Sequence, residues 1–184
     1  PMTFKYLNSP RIEQKIKSAL ALLSDKGARS YDTSSCGLHF HVSRAGITPQ
    51  AIVNLLVMTA RFKDVIFKLS RRTEYNFIRW SRAYDEATEL TPEVKNNIKN
   101  GDDGYFSRYH MVNLTNRNTV EFRFFRGTLN HQSFFGALHF INFLVEYALK
   151  CETENDITSE AIEFIKQAKD YSDELKNLME KVGL

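Results

Sequence analysis

Cysteine is scarce in this chain, and the two present, Cys36 and Cys151, are far apart and outside any CxxC pair. That excludes a disulfide framework and a paired-thiol redox motif, and a reduced, cytoplasmic setting is expected. Charge of one sign is also missing. Lys and Arg number 25 against 22 Asp and Glu, a net +3, which suits an anionic ligand such as a nucleotide but is too weak to mark a nucleic-acid binder. No apolar run is long: the longest, about residues 51–60, is too short to cross a bilayer. No secretory leader is read at the start, no repeat or low-complexity tract follows, and with four prolines and eight glycines no linker stands out. The chain opens Pro1-Met2, which reads as a tag remnant or as a cut upstream.

What is present is apolar and aromatic. With 42% apolar and 12% aromatic residues among 184, one domain with its own core is expected: residues 1–150 as the body and 151–184 as helices packed on it. Phe4–Leu7 reads as a short strand. Ser9-Pro10 starts a helix carrying Ile12, Ile16, Leu20 and Leu23, and Gly27 stops it. Thr48-Pro49 starts a long amphipathic helix to about Leu69. Residues 71–89, where Arg71, Arg72, Arg79 and Arg82 alternate with Tyr75, Phe77, Trp80 and Tyr84, read as a loop packing on itself. Thr91-Pro92 opens a short helix closed by Gly101, a turn follows at 102–104, and residues 107–114 and 119–126 read as an antiparallel hairpin. His131–Lys150 is a helix, and one or two more complete the chain.

Two strands carry chemistry on one face only. Alternation puts Val120, Phe122 and Phe124 on one side of the 119–126 strand and Thr119, Glu121 and Arg123 on the other. Such a strand is either a salt-bridged sheet surface or the floor of a polar site. In Cys36–Ser43 the apolar face is Cys36, Leu38, Phe40 and Val42, and the other carries His39 and His41 about 6.6 Å apart. The histidines are structural or belong to a cation-and-phosphate site. A zinc site of Cys36, His39 and His41 is the rival reading, opposed by Cys36 lying on the far face. Glu121 can ligate Mg²⁺ or Mn²⁺ and Arg123 can grip a phosphate, with Arg108 and Asn113 arriving from the partner strand. Their odd separation requires a bulge, or a place for Arg108 at the strand entrance. Because Glu121 is read as facing the site, Glu121→Gln is expected to spare the fold.

Taken together, Cys36-Gly-Leu-His-Phe-His-Val-Ser43, Arg108, Asn113, Thr119-Val-Glu-Phe-Arg-Phe-Phe125 and Gly127-Thr-Leu-Asn130 resemble the putative amidoligase family. These are carboxylate-amine ligases related to glutamine synthetase and glutamate-cysteine ligase, and the likeness runs over roughly Phe4–Lys150. It implies an α+β fold with a curved antiparallel sheet and helices on one face. It also implies ATP with Mg²⁺ or Mn²⁺ on the other face, and an amide formed from a carboxylate and an amine through an acyl phosphate. By position, His39 and Glu121 would contact the metal, His41 and Asn113 the ATP phosphates, and Arg108 and Arg123 the transferred phosphoryl group. The family's Gly-x-Glu-x-Glu strand has no counterpart here, where Lys5-Tyr6 stands. The chain is then the C-terminal part of a ligase, inactive alone, or an inactive nucleotide- or peptide-binding relative. A nucleic-acid binder using residues 71–84 is the third reading. A homodimer through free sheet edges is allowed, and no membrane partner is expected.

Overall fold

In a computed structural model, which describes residues 9–31, 33, 36–102 and 107–184, the chain forms an α+β fold. Strand β1 (Gly37–Ser43), β2 (Val112–Asn113) and β3 (Thr119–Arg126) make one antiparallel sheet in the order β1-β3-β2. The helices are α1 (Pro10–Asp25), α2 (Pro49–Arg61), α3 (Lys63–Ser70), α4 (Glu74–Trp80), α5 (Pro92–Lys99), α6 (His131–Lys150), α7 (Ala161–Lys169) and α8 (Asp173–Lys181). The strand expected at 4–7 and most of the 102–104 turn lie outside the described residues.

Alternation does what the sequence asks of it. Val120, Phe122 and Phe124 are fully buried, while His39 and His41 are exposed and Leu38, Phe40 and Val42 half-buried. A bulge opposite His39 breaks the register, since Leu38 pairs with Phe125 and Phe40 with Phe122. The extra residue turns Phe125 to the same side as Phe124, and both rings pack edge-on against Phe140 of α6. The apolar face of the sheet thereby seats the long central helix.

Three expectations are corrected. The helix from Thr48 is two, because Phe62 leaves helical geometry (φ −103°, ψ 27°) with its ring stacked 4.0 Å from Phe164. Residues 71–89 contain a helix, α4, capped by Thr73, whose hydroxyl accepts from the Asn76 amide. The strand at 107–114 shrinks to Val112–Asn113, because the main chain of residues 109–111 is engaged by Arg82. The Arg82 amide donates to the Tyr109 carbonyl, and the Met111 amide donates to the Arg82 carbonyl.

The last two helices close the core. Gly136 of α6 meets α8 so closely that an added Cβ would stand 2.7 Å from the Leu178 Cβ and 2.8 Å from the Glu174 carbonyl oxygen. Leu175, Leu178 and Met179 of α8 and Phe164 of α7 join the same buried cluster as the strands.

Candidate functional site

The polar face of the sheet gathers around one carboxylate. Glu121 sits mid-strand on β3, opposite His41 of β1 and Asn113 of β2. Its Oε1 accepts from the Arg123 Nη1 at 2.9 Å and lies 2.9 Å from His39 Nδ1 and 3.7 Å from His41 Nε2. Its Oε2 accepts from the Asn113 Nδ2 at 2.6 Å. Glu121 is only 5% exposed. It is therefore a buried carboxylate held by donors on both oxygens, and not a ligand standing free above the sheet.

Local structure fixes each partner. The Asn113 side-chain Oδ1 accepts from the Thr115 amide, so the turn after β2 sets the direction of its NH₂ group. His41 Nδ1 lies 3.3 Å from the Thr119 hydroxyl, which directs Nε2 toward Glu121. Arg44, just past β1, donates to the Leu114 and Thr119 carbonyls and ties the hairpin to β1. Arg123 is half-buried, and its Nε is buried without a hydrogen-bond partner among the described residues.

Arg72, expected in a loop, completes the group. It donates to the carbonyls of Arg123, Phe124 and Phe125, at the bulge where the strand's own pairing is interrupted. Burial, then the Arg123 charge, bring its pKa down to about 10, so it remains a cation at neutral pH. A Cβ on Gly37 would stand 2.6 Å from its Nη2 and 2.9 Å from His39 Nε2, so glycine is what admits both. Nothing in the order of residues points to these contacts, because the acceptors are main-chain carbonyls.

Of the expected site residues, the structure brings together His39, His41, Asn113, Glu121 and Arg123. Arg108 is not among their partners: it is exposed in the turn before β2, with its guanidinium 5.0 Å from the Tyr109 ring and 3.0 Å from the Tyr109 hydroxyl.

The balance of charge decides what the face attracts. One carboxylate, Glu121, is set against the two guanidiniums of Arg72 and Arg123. His39 does not add a third charge, because burial, helped by Arg123, lowers its pKa against the opposing pull of Glu121. The face is net cationic and suits an anion. Among the described residues no three His, Cys, Asp or Glu side chains are placed to hold a metal ion. With both Glu121 oxygens already bonded, these residues do not fit a resident Mg²⁺ or Mn²⁺, nor the zinc alternative.

Burial also lowers the pKa of His110 and His139. In each case the folded chain binds a proton less readily than the unfolded chain, so stability is greatest above the ordinary value of 6.5 and is lost as pH falls below it. Melting followed by circular dichroism should give a lower Tm at pH 5.5 than at pH 7.5. An unchanged Tm would mean that these imidazoles titrate alike in both states.

A family model described as "Putative amidoligase enzyme" matches residues 7–142, well over half of the chain and all of the site's residues. No curated protein and no solved structure matches.

Proposed function

We propose, since the chain belongs to the putative amidoligase family, that its polar sheet face is the phosphate-holding wall of an ATP-dependent carboxylate-amine ligase. In that reaction a carboxylate oxygen attacks the γ-phosphorus of ATP as the bond to ADP breaks. The amine then attacks the acyl carbon, inorganic phosphate leaves, and the nitrogen gives up a proton. The observation that supports the reading is the fastening of Arg123. Glu121 fixes one end of its guanidinium, Arg72 stands beside it, and two imidazoles flank the same carboxylate.

Phosphoryl transfer demands positioned positive charge more than covalent chemistry from the protein. In this reading Arg123 and Arg72 face the charge that builds on the phosphoryl oxygens, and Glu121 and Asn113 hold Arg123 in place. His39, kept neutral and donating to Glu121 through Nδ1, leaves Nε2 to take the proton from the amine. A divalent ion enters only as the counter-ion that ATP carries.

A second reading, a binding domain that does not ligate, is favoured by one observation: Glu121 is the only carboxylate that bonds within the described site. A hydroxylamine trap separates the two, since ATP, a carboxylate and hydroxylamine yield a hydroxamate only if an acyl phosphate forms. Binding itself is tested by calorimetry with ATP·Mg²⁺. Arg123→Lys keeps the charge and loses the fork, and should weaken binding by about tenfold. Equal affinities, or no binding by the unaltered chain, would remove the assignment.

A further inference from the structure

Beside the cationic face lies a second surface. Tyr75, Arg79 and Trp80 of α4, with Arg108 and Tyr109 of the turn before β2, form a ladder of packed rings and guanidiniums. The Arg79 guanidinium carbon is 4.7 Å from the Trp80 ring centre and 5.7 Å from that of Tyr75, whose hydroxyl accepts from Arg79 Nη1. The Trp80 and Tyr109 rings are 5.8 Å apart, and Arg108 lies 5.0 Å from the Tyr109 ring. This is no core: Tyr75 is 67% and Tyr109 38% exposed.

The backbone joins this ladder to the site at two points. Arg72, directly before the Thr73 cap of α4, holds the carbonyls of Arg123, Phe124 and Phe125. Tyr109 leads through Met111, whose carbonyl accepts from the Arg123 amide, to Asn113, which holds Glu121. Tyr109 thus stands in the turn that leads into β2, four residues before Asn113.

We propose that Tyr109 and Trp80 stack the base of the nucleotide whose phosphates meet Arg123 and Arg72, with Arg79 and Arg108 toward its ribose and first phosphate. This rests on the nucleotide reading of the sheet face and gives it an orientation. Exposed π faces beside guanidiniums recognise flat heteroaromatic rings with little regard for base identity. Arg108, absent from the Glu121 cluster, thus has a place at the other end of the same ligand.

Trp80 is the only tryptophan in the chain, so its fluorescence reports on this surface directly. The experiment titrates the protein with ATP·Mg²⁺ and with inorganic tripolyphosphate, reading heat and Trp80 emission together, and repeats both with Tyr109→Ala. The expected result is that ATP alters Trp80 emission and tripolyphosphate binds without doing so. Tyr109→Ala should weaken ATP by about tenfold, on the scale of one lost base–aromatic stack, and leave tripolyphosphate unchanged. If ATP and tripolyphosphate bind equally, with Trp80 silent, the base site is wrong and the phosphate wall stands. If neither binds, both readings fall. If oligo(dT) alters Trp80 emission and ATP does not displace it, the surface serves single-stranded nucleic acid and the proposal is overturned.

Discussion

Replacing Glu121 by glutamine should destabilise the fold by about 3 kcal/mol, the low end of the range for removing one partner of a buried ion pair. The sequence alone led to the opposite expectation. The reversal comes from burial: at 5% exposure Glu121 is encircled by Arg123, His39 and Asn113. Glutamine of the same size would keep an oxygen for Asn113 or for Arg123, but its NH₂ group would face a donor on the other side. The half-buried Arg123 charge would also lose its counter-charge. For a chain of this length that corresponds to a Tm lower by roughly 10 °C. Coupling provides the control. The double variant Glu121→Gln, Arg123→Leu should be less destabilised than the sum of the two single changes, because it leaves no uncompensated charge. Additive losses would show that the pair is not coupled, and an unchanged Tm in Glu121→Gln would return Glu121 to the role of a free ligand.

The site was half legible in the residues. Period-two alternation assigns His39, His41, Glu121 and Arg123 to the polar side, because a strand that buries Val120, Phe122 and Phe124 has no choice about the rest. Asn113 was legible as a partner-strand group, though not that its amide is consumed in aiming Glu121. Whatever depends on main-chain acceptors stayed hidden. Arg72 binds carbonyls that exist because a bulge opens them, and neither the bulge nor the grip has a residue signature. Helix α4 was missed for a related reason: its seven residues, Glu74–Trp80, bury Phe77 alone and so show no apolar period. Arg108 is expected in the site both as a partner-strand cation and by resemblance, whereas its contacts are with Tyr109.

Phe164→Ala should cost about 3–5 kcal/mol, the range for truncating a fully buried phenylalanine. Phe164 lies in α7, past residue 142 where the family match ends, so a reading confined to the family region would treat it as peripheral. The packing says otherwise. Its ring is fully buried, stacked at 4.0 Å on Phe62 and in contact with Phe140, Phe143 and Tyr147 of α6. Phe62 marks the break between α2 and α3, and Phe140 is the ring on which Phe124 and Phe125 of β3 rest. A cavity at Phe164 is therefore one ring removed from the strand that carries Glu121 and Arg123. Chemical denaturation should show a lower midpoint in a single transition, with ATP affinity unchanged where the protein is folded, since Phe164 touches no group of the site. Two separate transitions, or a loss below about 1 kcal/mol, would show instead that α7 and α8 form a unit apart from the core.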